Sequence, residues 1–171
     1  MLTAALFILS VAGLGLSQAP EGYRTVYITS MVDTKYVVVP AAPSPPKSGN
    51  TVVVQTLNNK PEQQWYLKAD ASKIQLAATQ LCLDAGEKSN WKDMGKIWLK
   101  DCSDTVEGQQ WNVMADGRIA LVKSSPQQCI DLQYMRATPN NPVGLYACAG
   151  LGNTGAKDKG INWPLVNATT V

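Results

Sequence analysis

Histidine is missing altogether from this 171-residue chain, and with it go the commonest general base and the commonest metal ligand at neutral pH. Any catalysis would have to run on carboxylates, and no metal or other cofactor is expected. Aromatic residues are few. The one phenylalanine, Phe7, sits close to the start, so five Trp and six Tyr must join Leu, Ile and Val in filling a core. Neither sign of charge is in excess: 15 basic and 13 acidic residues are spread evenly, which points away from nucleic acid or an anionic membrane as partner. A sustained helical period is absent as well. Asp101, Asp104 and Glu107 lie close together, but glycoside hydrolysis needs two carboxylates held across a cleft, and these three read as a solvated loop. The chain is therefore read as a non-enzyme with no catalytic residues.

The first nineteen residues carry no charged side chain, and the apolar run 4–16 ends in Ser17, Gln18 and Ala19. Residues 1–19 are read as a cleaved secretory signal, the run being shorter than the roughly 20 apolar residues of a membrane span. Residues 20–171 then form a single domain of about 150 residues, secreted, extracellular and not inserted in a membrane. Four cysteines in such a chain point to two disulfides. Asn167, Ala168 and Thr169 make a glycosylation sequon. Nothing in the sequence sets an oligomeric state.

What is present is a repeat. Gln63-Gln64-Trp65 recurs as Gln109-Gln110-Trp111 and, degenerately, as Ile161-Asn162-Trp163. Trp65 and Trp111 are 46 residues apart and Trp111 and Trp163 are 52 apart, the excess falling in the Gly-rich stretch 150–160. The cysteines keep the same interval: Cys82 to Cys129 is 47 residues and Cys102 to Cys148 is 46. One unit copied three times, about 24–69, 70–115 and 116–166, explains both series. It also selects the pairing Cys82–Cys102 and Cys129–Cys148, each loop worth about 3 kcal/mol in the chain-entropy model. Twelve short β-branched or aromatic runs, at 25–28, 36–39, 52–54, 65–67, 74–76, 81–83, 97–99, 111–114, 119–122, 129–132, 145–147 and 163–166, give four strands per unit. Twelve strands in three fours predict an all-β chain folded as a β-trefoil: a six-stranded barrel under three hairpins, with one Trp per repeat in a shared core.

With three Gln-x-Trp motifs in register and a Cys-x-Asp paired with a later Cys in two of the repeats, the chain resembles the ricin B-type lectin family from about Arg24 to Leu165. That resemblance implies a β-trefoil that binds glycans or glycoproteins in shallow pockets, up to one per repeat, without chemistry on the sugar. In the family a pocket combines the Asp two residues after the first Cys, an aromatic two before the second, and an Asn and Gln just ahead of the Trp. A carboxylate accepts from two sugar hydroxyls, an aromatic face covers the C–H side of the ring, and an amide donates and accepts.

Carried over residue by residue, the third repeat keeps Asp131 and Tyr146 but has Gly160 and Ile161 in place of the amides, for which Asn140, Asn141 or Asn153 could substitute. The second keeps Asp84 and Gln109, with Lys100 replacing the aromatic and Gly108 the Asn. Trp98 or Trp91 could provide a displaced platform there. Trp91, in a polar loop, is as readily an exposed contact as a packing residue. In the first repeat Pro40 falls at the Asp position, Val54 at the aromatic and Glu62 at the Asn, and no pocket is expected. The sugar-binding candidates are therefore Asp131, Tyr146, Asn141, Asp84, Trp98, Lys100 and Gln109, forming at most one or two working sites. A second function class is a secreted β-trefoil protease inhibitor, presenting the Pro-rich loop 40–49 with Lys47 as a stiff docking segment.

Overall fold

The computed structural model describes residues 18–168; the expected signal, residues 1–19, lies almost wholly outside them, as does Thr169 of the sequon. Twelve strands follow in chain order: β1 (Arg24–Ile28), β2 (Tyr36–Pro40), β3 (Val52–Thr56), β4 (Trp65–Leu67), β5 (Gln75–Leu76), β6 (Leu81–Asp84), β7 (Trp98–Asp101), β8 (Trp111–Val113), β9 (Ile119–Leu121), β10 (Gln128–Leu132), β11 (Val143–Ala147) and β12 (Leu165–Asn167). Each overlaps one of the twelve runs expected from the sequence. All pairings are antiparallel.

The barrel closes through side-by-side ladders β12–β1–β4–β5 and β8–β9. Two isolated bridges join them, Ser72 to Trp111 and Arg118 to Asn162. Hairpins β2–β3, β6–β7 and β10–β11 cap one end, and single bridges tie them to one another: Thr51 to Trp98, Val53 to Pro142, and Lys96 to Gly144. The fold is a β-trefoil, and closure leaves few strand edges to pair with other chains.

Trp65, Trp111 and Trp163 are all but fully buried in one cluster. A buried indole N–H needs an acceptor, and the three find equivalent ones: the carbonyls of Val38 at 2.9 Å, Leu83 at 3.0 Å and Ile130 at 2.8 Å. Each Trp follows a single 3₁₀ turn, Pro61–Gln63, Glu107–Gln109 or Lys159–Ile161. Gln63 and Gln109 fasten that turn identically, with the amide nitrogen donating to the carbonyl of Thr56 or Asp101 and the amide oxygen accepting from the backbone of Asn58 or Ser103. In the third repeat Ile161 is buried in that place, and the next residue, Asn162, donates instead to the carbonyls of Gly155 and Asp158. The repeat is thus a hydrogen-bonding device as much as an apolar one. Both disulfides, Cys82–Cys102 and Cys129–Cys148, form within repeats as the spacing requires.

The indole bonds also correct the alignment of the first repeat. Because Val38 matches Leu83 and Ile130, the residue at the position of Asp84 and Asp131 is Val39, not Pro40. Pairing of Val39 with Val53, Asp84 with Trp98 and Asp131 with Gly144 agrees, so Gln55 rather than Val54 matches Lys100 and Tyr146. Val39 is buried against Tyr27, Val37 and Val53, and no carboxylate is available there.

Candidate functional site

In the second repeat the end of β6 places Asp84 beneath a depression of about 330 Å³, bordered by Ser48, Gly86, Glu87, Lys100 and Gln109. Its carboxylate is already occupied. One oxygen accepts from the Gly86 N–H at 2.6 Å and the other from the Gln109 amide at 2.9 Å, while the Lys100 ammonium stands 3.9 Å away. The aromatic residues do not form a platform. Trp98 packs against Gly86, where a Cβ would stand 2.7 Å from its ring, and carries the Lys100 ammonium over its face at 5.8 Å. Trp91 donates its indole N–H to the Gly86 carbonyl at 3.0 Å and, partly buried, packs against the main core, with the Lys88 ammonium over its ring at 5.8 Å.

The third repeat is built differently. Asp131, on β10, is 7% exposed and sits at the floor of a cavity of about 360 Å³ with Tyr146 of β11 on its wall. Among the described residues no protein donor reaches its carboxylate. The remaining walls come from outside the hairpin strands. Met94 arrives from the second repeat, whose loop 91–95 runs along β11: the N–H of Met94 donates to Leu145, and the N–H of Leu145 donates to Gly95, both at 2.8 Å. Asp93 beside it accepts from the Ala147 N–H at 2.8 Å. Tyr134 and Met135 come from the turn after β10, and Leu151 and Asp158 from the insertion 150–160. Met94, Tyr134, Met135 and Leu151 are exposed large apolar side chains that converge on this one cup.

Asp158 orders the insertion, accepting from the N–H of Leu151 at 3.0 Å and of Gly160 at 2.9 Å. Arg118, itself paired with Asp116 at 2.7 Å, donates to the carbonyl of Cys148 behind it. Gly160 lies close against the site: a Cβ there would stand 3.0 Å from both the Asp131 carboxylate and Met135, tighter than most side-chain contacts. Met94, Tyr134 and Met135 have φ of 67°, 59° and 49°, a left-handed backbone that non-glycine residues seldom adopt. Burial, with the neighbouring charges of Asp158 and Asp93, pushes the Asp131 carboxyl up to about 7.

Of the residues expected from the sequence, Asp131 and Tyr146 meet in one cavity, whereas Asp84, Lys100 and Gln109 meet in a closed network with Trp98 at its edge. Asn141 is placed elsewhere: its amide donates to the Gln133 carbonyl at 2.9 Å and holds the β10–β11 turn. Asn140 accepts from Gln55, and neither it nor Asn153 borders the cup. The positions not anticipated are Met94, Tyr134, Met135, Leu151 and Asp158. Of these only Leu151 and Asp158 lay in a segment that the repeat spacing had marked as unusual. Lys47 is exposed on its Pro-rich loop, which is fastened to the second repeat where the Gly49 N–H donates to Leu99 at 2.7 Å.

A barrel of three like units, carrying a carboxylate beside an aromatic ring in a shallow outer cup, defines a lectin-type β-trefoil. Residues 38–111 and 73–159 match the profile of the ricin-type beta-trefoil lectin domain, and the chain belongs to that family. No curated protein matches it in sequence. Among solved structures, the designed 3-fold symmetric protein ThreeFoil superposes with a TM-score of 0.66 at 18% identity, over 86% of this chain and 99% of its own. The C-half of the earthworm R-type lectin, crystallised with GalNAc, gives 0.61 at 15% identity over 86% and 99%. The β-trefoil lectin of the Vibrio vulnificus hemolysin/cytolysin, with N-acetyl-D-lactosamine bound, gives 0.62 at 10% identity over 88% and 99%.

Proposed function

We propose that the chain is a secreted lectin whose working site is the cup of the third repeat, without catalytic turnover. Asp131 would accept hydrogen bonds from sugar hydroxyls while Tyr146 covers the apolar face of the ring. At about 360 Å³ the cavity is at the small end of ligand sites, which suits one monosaccharide unit. The observation that carries the reading is the Asp131 carboxylate itself: on a residue only 7% exposed, it borders the cup, and among the described residues no protein donor reaches it. Asp84, Lys100 and Gln109 satisfy one another, and the first repeat has Val39 in place of the acid, so binding is univalent. The sugars bound to the earthworm and Vibrio lectins support a glycan as the ligand class. Secretion is supported by the uncharged apolar start and by two disulfides, which persist in oxidising compartments. Asn167, exposed on β12, is the modification site this reading assigns to the sequon.

The test is retention on a panel of immobilised glycans that includes GalNAc and N-acetyl-D-lactosamine. Asp131→Ala and Tyr146→Ala should abolish retention in protein that still melts cooperatively, and Asp84→Ala should not. Retention unaffected by both cup substitutions would refute the assignment.

A further inference from the structure

We infer that the third-repeat cup selects amino sugars bearing a free primary ammonium over their N-acetylated and neutral counterparts. This rests on the reading of the cup as a sugar site and specifies its ligand.

The second repeat supplies the comparison. Lys100 lies directly across the hairpin from Cys82, and Tyr146 lies directly across from Cys129, so the two side chains occupy equivalent positions. In the second repeat the ammonium of Lys100 stands 3.9 Å from the Asp84 carboxylate and 5.8 Å from the Trp98 ring centre. That is a primary ammonium held between an acid and an aromatic face, supplied by the protein. The third repeat keeps the acid, has an aromatic residue where the lysine was and Gly144 where Trp98 was, and among the described residues no cation borders the cup. A ligand that carries its own ammonium would supply what Lys100 supplies in the second repeat.

The surroundings agree. A second carboxylate, Asp158, borders the same cavity, and Asp93 accepts from the Ala147 N–H. The charges of Asp158 and Asp93 both act on Asp131. Met94, Met135, Tyr134 and Leu151 form apolar walls that strengthen any charge pair formed within. The family's amide pair, which would read neutral hydroxyls, is replaced by Gly160 and Ile161. A primary ammonium has three N–H donors, from which Asp131 can accept where no protein donor reaches it, and it is attracted to aromatic faces. Burial and like charge hold the Asp131 carboxyl near 7, as befits a group that gains from an incoming cation.

Calorimetric titration of the full chain at pH 7 with glucosamine and galactosamine, their N-acetylated forms, the parent hexoses, ethylamine and tetramethylammonium tests this. The amino sugars should bind at least tenfold tighter than any other probe, tetramethylammonium failing because it has no N–H to donate. Asp131→Asn should remove that preference. Tyr146→Lys should place a lysine where the second repeat has Lys100, next to the acid, and expel the amino sugar from a folded protein. At pH 6, amino sugar binding should release a proton from Asp131, seen as heat that depends on the buffer. Neutral or N-acetylated sugars binding as tightly as the amines would overturn the charge selection and leave the lectin reading intact. Ethylamine binding as tightly as the amino sugars would overturn it too, since the ring would then contribute nothing. Failure of every sugar would sink both.

Discussion

Replacing Asp131 with Asn should stabilise the ligand-free protein, and by an amount that grows with pH. The unfolded chain gives up the Asp131 proton near the ordinary value of 3.8, whereas the folded chain keeps it until about 7. Between those limits the folded state binds more protons than the unfolded state, so raising the pH favours unfolding. Stability is therefore lost as pH climbs through the window, not gained as for a salt-bridged aspartate. At about 1.4 kcal/mol per pH unit the gap from 3.8 to about 7 corresponds to roughly 4 kcal/mol, absent below pH 4 and complete above pH 7. For a domain of this size that is on the order of 10 °C in melting temperature. Asn keeps the shape and has no charge to bury. Urea melts of the parent and Asp131→Asn, run at half-unit intervals from pH 4 to 8, read the effect as a difference, in which titrating groups not coupled to Asp131 cancel. The two should coincide at the acid end, apart from a constant offset, and diverge steadily to pH 7 with the variant the more stable. A difference independent of pH, or one that favours the parent as pH rises, would refute the argument that this carboxylate is unpaired.

The other acid should behave in the opposite way. Asp84→Ala leaves the Gln109 amide, the Gly86 N–H and Lys100 without their partner, and a loss of about 1–3 kcal/mol in urea melts is expected with glycan retention unchanged. Trp65→Phe, Trp111→Phe and Trp163→Phe each remove one indole N–H bond to a buried carbonyl. Their costs, measured by the same melts, should be of order 2 kcal/mol or more and agree within about 1 kcal/mol, because the three environments are equivalent. Cys129→Ser with Cys148→Ser opens a 19-residue link and should cost about 3 kcal/mol, with Tyr146 displaced and glycan retention reduced.

How much of this could be read in advance follows from what repetition constrains. The barrel asks one question of the chain three times, and the answer, an indole whose N–H finds a carbonyl and a glutamine that ties its own turn, is written at regular spacing. Strands, core and disulfides were legible for that reason. The first repeat lacks a cysteine to fix its frame, and there Pro40 was matched to the acids when Val39 holds the place. A slip of one residue in a strand exchanges its two faces, so the error mattered for every side chain on β2. The cup was only half legible. Asp131 and Tyr146 belong to the repeated hairpin, but Met94 comes from another repeat and Tyr134 and Met135 from a turn with left-handed backbone. Leu151 and Asp158 stand in an insertion whose path depends on Asp158 and Asn162 as internal ties. None of these obeys the period, because a binding site is where the copies are free to differ.

The three copies make a graded series on one scaffold. At a single register position the chain has Val39 buried among apolar neighbours, Asp84 enclosed by a lysine and an amide, and Asp131 open to a cavity. The first two are satisfied within the fold and the third is not, although the backbone around all three is held by the same Trp bond. A demand of the fold would have been met in the same way each time. The carboxylate at position 131 is instead left in an environment that raises its proton affinity, beside a second acid and under apolar walls, at a cost to stability that Asp131→Asn should recover. Residues that weaken a fold in this manner are retained where they serve a ligand, and the charge that would relieve this one is the charge Lys100 already supplies one repeat earlier.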